Sequence, residues 1–178
     1  MKINHNLYLA PIVLFALLTF VQLLYAQDVQ ICRNDITPTT PTRDFTLHGD
    51  GTVTHHKTGL MWMRCALGQN WNGADCTGSA YPYNWQDALR AADGFSFAGR
   101  SDWRLPDIKA LGSIVEQACL LPATNKTIFP VQSIAGFWSA SPDVSNMIRV
   151  WGLFIAEGIP QLYGKTSHHH VLLVRGGQ

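Results

Sequence analysis

The sequence predicts an α+β domain in which two helices pack on short antiparallel strands and disulfides brace the whole. Three observations carry this. Two stretches combine helix-start signals with three- and four-residue apolar spacing, several short β-branched or aromatic runs are bounded by glycine and proline turns, and four cysteines stand behind an export-type leader.

The leader comes first in the chain. Lys2 gives a short positive start, Leu7 to Val21 is uncharged and mostly apolar, and Ala26 offers a small residue before Gln27, the pattern of a signal peptide over residues 1–26. An uncleaved membrane anchor is the alternative for the same run. The 178-residue chain has a formal net charge of +1. Lys2 is the leader's share of that charge, so the remainder is formally neutral, unlike a nucleic-acid protein with its basic excess. No later apolar stretch approaches the length of a membrane span.

Residues 27–44 read as a polar extended arm, with Pro38 and Pro41 among threonines. From Phe45 to Arg64 the chain predicts a hairpin, with turns at Gly49-Asp50-Gly51 and Lys57-Thr58-Gly59 around Thr52-Val53-Thr54 and before Leu60-Met61-Trp62-Met63. A Gly- and Asn-rich loop follows to Tyr83. Asn84 is placed to cap a helix, with Asp87 completing a weak capping box and Trp85, Ala88, Leu89 and Ala92 forming its apolar stripe. Gly94 ends it.

Ser101-Asp102-Trp103-Arg104-Leu105-Pro106-Asp107-Ile108-Lys109 is the stretch around which the rest is organised. Pro106 biases Leu105 towards extended backbone, and Asp107 is placed as the N-cap of a second helix. Ile108, Leu111, Ile114 or Val115, and Ala118 predict about ten helical residues, with Gly112 inside at a cost of about 1 kcal/mol. Trp103 is expected to anchor the core at this strand-to-helix corner. Beyond Cys119, Phe137 to Ser141 predicts a strand ending at Pro142, Met147 to Ile155 another, Gly158 to Gly164 a turn region, and His168 to Arg175 a closing strand.

Cys32, Cys65, Cys76 and Cys119 admit three pairings, and disulfides are the default in an exported domain. Pairing Cys65 with Cys76 closes a short polar loop and leaves Cys32 with Cys119. No C-x-x-C spacing supports a zinc site.

Taken in order, Thr52-Val53-Thr54, Lys57 to Trp62, Trp85 to Leu89, Ala98 to Pro106, Phe129-Pro130, Phe137-Trp138-Ser139 and Val174-Arg175-Gly176-Gly177 resemble the Lcl C-terminal domain family. That family is named for the C-terminal part of the Legionella collagen-like adhesin, and the resemblance runs from about Cys32 to the end of the chain, with the domain itself placed at residues 45–178. It implies a C-type-lectin-like fold, a trimer, and an exported adhesin that binds sulfated glycosaminoglycans. The chain departs from that pattern in having no Gly-x-y tract and no basic excess after the leader. Leu172 also stands where the resemblance implies a basic residue.

Candidate chemistry is sparse. After Cys119 the only acids are Asp143 and Glu157, too few for the oxygens that calcium requires, so no cofactor or metal is expected. No nucleophile-elbow spacing supports an enzyme. On a strand, His168 and His170 share a face opposite His169, which predicts solvated histidines, with metal binding left open. Lys126, Arg149, Lys165 and Arg175 outnumber the acids of this segment, and protonated histidines add charge below about pH 6.5. Lys126, Arg149, Lys165, His168 and His170 are therefore the candidate ligand-binding residues. The expected function is non-enzymatic recognition of a glycan, sulfated glycans included, or of a protein, at the cell surface or in the periplasm. A structural subunit of a surface assembly is the alternative.

Overall fold

The computed structural model describes residues 30–130 and 135–177. The leader expected at residues 1–26 lies outside the described residues. Of those described, no helix is long and apolar enough to cross a membrane.

The α+β expectation holds, with strands predominating. A four-stranded sheet has the order β11-β4-β3-β2, from β2 (Phe45–Leu47), β3 (Thr52–His55), β4 (Met61–Met63) and β11 (Val174–Arg175). A three-stranded sheet has the order β10-β9-β8, from β8 (Gly136–Pro142), β9 (Arg149–Phe154) and β10 (Ile159–Gly164). Two small ribbons complete the set. β1 (Ile31–Cys32) pairs with β7 (Cys119–Leu120), and β5 (Asn70–Trp71) pairs with β6 (Cys76–Thr77). Helices α1 (Trp85–Ala92) and α2 (Ile108–Gly112) pack on the three-stranded sheet.

Both helix starts form as the sequence predicts. The Asn84 side chain accepts from the Asp87 backbone N–H and donates back to the Asp87 carboxylate, and the Asp107 carboxylate accepts from the Ala110 N–H. Trp103 is buried and donates its indole N–H to the Phe97 carbonyl.

Four expectations are corrected. The second helix has five residues, not about ten. Ser113 closes it by bonding backward to Lys109 and Ala110, and the Glu116 N–H is taken by the Ala123 carbonyl. The predicted hairpin is a three-stranded meander, because Phe45–Leu47 pairs along β3. The predicted turn at 158–164 is mostly strand, since Leu162 and Tyr163 find partners in Trp151 and Val150 of β9. The closing strand reduces to Val174–Arg175, preceded by single bridges from His169 to Tyr83 and from His170 to Phe137.

That closing segment joins the two cores. Successive side chains of extended backbone point to opposite faces. Leu172 and Val174 enter a cluster with Val53, Trp62, Phe129 and Leu153, while Val171 and Leu173 enter a second with Trp103, Leu105, Trp138 and Val150. Leu172 is thus apolar because its position is interior.

The disulfides are Cys65–Cys76 and Cys32–Cys119. The second ties the arm to the chain after α2, and Glu116 holds the same junction. Its carboxylate, 4% exposed, accepts from the N–H and hydroxyl groups of both Thr39 and Thr40 and from the Ala118 N–H. Desolvation opposes its charge, but these donors keep the carboxyl below its ordinary range. Glu116→Ala strands four donors at this junction, the Thr39 hydroxyl retaining the Val115 carbonyl as its acceptor. It is expected to cost about 3 kcal/mol in urea unfolding with both disulfides intact, whereas Gln117→Ala should change little.

Three histidines are held neutral. His55 stacks on Phe45 at 4.6 Å, His169 lies 3.9 Å from the Tyr163 ring and 4.7 Å from that of Trp138, and His170 lies 5.7 Å from Phe137. One ring nitrogen of each (Nε2 of His55 and His169, Nδ1 of His170) is buried without a partner among the described residues. Burial pushes all three pKa values down, with Lys57 assisting at His55 and the neighbouring histidines at His169. The unfolded chain takes up these protons near pH 6.5, the folded chain only at lower pH. Stability is therefore complete above about pH 6.5 and falls as pH drops below it. A urea midpoint that stays constant from about pH 8 to pH 6.5 and declines by about pH 5 is expected, before carboxylate titration contributes.

Candidate functional site

A cleft of about 610 Å³ opens between the loop closed by Cys65–Cys76 and the C-terminal end of α1. This is within the roughly 300–1,000 Å³ usual for small-ligand sites. Trp71, Tyr81, Tyr83, Phe95 and Phe97 line it, with Asp50, Gln69 and Asn70 as its polar side chains.

Each aromatic has a local reason for its position. Trp71 sits on β5, where its indole N–H donates to the Gly49 carbonyl at 3.1 Å and the buried Arg64 guanidinium lies 4.0 Å from its ring. Arg64 is itself fixed by donating to the carbonyls of Thr127 and Ile128. Two glycines make the close packing possible. A Cβ at Gly51 (φ +85°) would meet Trp71 at 2.9 Å and Phe97 at 3.0 Å, and one at Gly68 (φ +96°) would meet the Tyr81 ring at 2.7 Å. Phe97 exchanges backbone hydrogen bonds with Arg100 and meets Trp103 edge-on at 6.2 Å. Tyr83 is set by its backbone pairing with His169.

The polar groups divide by availability. Gln69 is occupied within its loop, accepting from the Ala66 N–H and donating to the Gly78 carbonyl. The Asn70 amide and the Tyr81 and Tyr83 hydroxyls make no hydrogen bond among the described residues. Burial, with the nearby Tyr81 phenol, pushes the Tyr83 pKa up, so its hydroxyl remains a donor at neutral pH. Desolvation acts against the Asp50 carboxylate, but hydrogen bonds from Thr52 keep its pKa below the ordinary value. The nearest ion-pair partner of Asp50 is Arg100 at 3.8 Å.

The residues singled out from sequence lie elsewhere and do not form one site. Arg149 pairs with Asp143 at 2.9 Å, and the Lys165 ammonium lies 4.6 Å from the Trp85 ring. These two are neighbours, since the Lys165 N–H donates to the Ile148 carbonyl. His168 is exposed, while His170 is packed on Phe137. Lys126 borders a separate cleft beside Gln30, Arg33 and Glu116. Among the described residues, no group of three or more His, Cys, Asp or Glu side chains could hold a metal ion.

Sequence reasoning missed the cleft. The signal was there in Tyr81-Pro82-Tyr83 beside a glycine-rich disulfide loop, but the spacing does not tell which aromatics remain uncovered. The cation excess after Cys119 pointed instead to charges that the fold largely uses internally.

Comparison with known proteins adds one positive finding. No curated protein matches the chain at a significant level. Residues 51–175 match the family model described as the Lcl C-terminal domain. The match takes in the three-stranded sheet, all of the four-stranded sheet except its edge strand β2, both helices, the Cys65–Cys76 loop and every aromatic of the cleft. The chain belongs to the Lcl C-terminal domain family.

Proposed function

We propose that this protein is an exported, non-enzymatic recognition domain of adhesion type, C-type-lectin-like in fold, that binds a glycan or a protein at the cell surface or in the periplasm. The observation that carries the reading is the aromatic cleft, where exposed ring surface lies beside an uncommitted amide and two phenol hydroxyls. Such a surface suits holding a ligand by stacking and hydrogen bonding. Asp50, whose carboxyl is held charged by Thr52, serves there as an acceptor rather than a proton carrier. Two disulfides and the leader-like residues 1–26 support an oxidising compartment. The trimer implied by the family resemblance would multiply a weak single-site affinity.

A second reading, a structural subunit of a surface assembly, has its own support. The tip between β8 and β9 exposes Val144, Met147 and Ile148 at 99%, 85% and 71%. Asp143 fixes this tip, accepting from the Ser145 N–H and hydroxyl and from Arg149. An apolar tip held in one shape suits packing against a partner.

The test is binding of the oxidised domain, residues 27–178, to glycan and purified surface-protein arrays. The recognition reading expects retention that is competed by free ligand and survives Val144→Ser with Ile148→Ser. No retention on either array, together with a stoichiometric envelope partner lost in that double variant, would transfer the assignment to the assembly subunit.

A further inference from the structure

The cleft beside the Cys65–Cys76 loop has a charge character that separates it from the cationic set found in the sequence. Its carboxylate is Asp50, which is faced by His48 and paired with Arg100, while Arg64 beneath the cleft is committed elsewhere. The Arg64 guanidinium is bonded to the Thr127 and Ile128 carbonyls beneath the Trp71 ring. Arg100 donates to the Ala98 carbonyl and otherwise faces Asp50. Further away, Arg149 is paired with Asp143, and Arg175 with Asp102 at 2.7 Å. A sulfate or carboxylate entering the cleft would meet the Asp50 carboxylate, and the guanidinium nearest to it, Arg100, is already paired with that carboxylate at 3.8 Å.

The remaining chemistry is complementary to a neutral sugar. A pyranose ring offers an apolar C–H face and a rim of hydroxyls that both donate and accept. Tyr81 and Trp71 supply aromatic surface, and the Asn70 amide, the tyrosine hydroxyls and Asp50 supply both kinds of hydrogen-bonding group. The site is also preformed. The disulfide closes its loop, Gln69 clips that loop internally, and Arg64 with the Gly49 carbonyl holds Trp71. Little ordering is left to oppose binding.

We infer that the cleft formed by Asp50, Asn70, Trp71, Tyr81 and Tyr83 is a subsite for uncharged pyranose units of a glycan and rejects sulfated ones. This rests on the recognition reading above and specifies its ligand. Because the ligand is uncharged, no ion pair forms on binding and affinity is independent of ionic strength, in contrast to binding through a basic surface.

The experiment titrates the oxidised domain by NMR and calorimetry against neutral tri- and tetrasaccharides of gluco-, manno-, galacto- and N-acetylglucosamine configuration and against their O-sulfated counterparts. Wild type, Tyr81→Ala and Asn70→Ala are compared. Both substituted side chains are exposed, so unfolding midpoints should match wild type and report that the variants are folded. The expected result is binding of a neutral sugar that holds from about 50 to about 500 mM salt and falls roughly tenfold or more in each variant. Salt-sensitive binding of sulfated sugars alone, unchanged in the variants, overturns this inference and leaves the recognition reading standing. Retention of a surface protein with no glycan binding has the same consequence. Absence of any glycan or protein ligand overturns both.

Discussion

An extended segment buried on both sides must pair its backbone polar groups with whatever surrounds it, and residues 169–174 meet that demand by touching nearly every part of the domain. His169 pairs with Tyr83 before α1, and His170 bridges Gly136 and Trp138 of β8. Val171 and Leu173 offer their carbonyls to Leu67 and Met63, and Val174 exchanges both bonds with Arg104. The side chains alternate between two cores while the backbone links the two main sheets, the disulfide loop and the corner that leads to α2. A break in this segment would separate elements that otherwise have few direct ties.

Two further anchors position the surface loops. Glu116 and the Cys32–Cys119 disulfide tie the N-terminal arm to the chain following α2, so the arm is an integral part of the domain although the family match begins later, at residue 51. Arg64 connects interior to surface in a similar way. It occupies the carbonyls of Thr127 and Ile128 on one side and supports Trp71 on the other, so the cleft is referenced to the core rather than to a free loop. Rigid elements hold a recognition surface more accurately than isolated loops do.

The same economy of charge shapes the functional reading. Arg64, Arg149, Lys165 and Arg175 each have a structural partner, whereas the Asn70 amide and the Tyr81 and Tyr83 hydroxyls around Trp71 make no hydrogen bond among the described residues. Buried charge is costly without a partner, whereas exposed neutral polar groups cost little. Membership of a family fixes the scaffold and leaves the ligand to the side chains that the surface exposes.

Much of the architecture was legible in the residues themselves. Asn84 and Asp107 cap helices because their short side chains reach first-turn N–H groups, a local chemistry that needs no tertiary partner. The Cys65–Cys76 loop and the burial of Trp103 are legible for similar reasons of spacing and apolar size. The length of α2, the strand at Ile159–Gly164 and the interrupted path of residues 168–175 were not, because each depends on a partner distant in sequence. Glu116 leaves the helix to meet Thr39 and Thr40, β10 exists by pairing with β9, and His169 and His170 bridge to different elements. The site divides along the same line. Composition determined how many aromatic and cationic side chains the chain carries, but only the tertiary structure decided which rings stay uncovered and which charges are neutralised, because exposure and ion pairing are properties of neighbours in space.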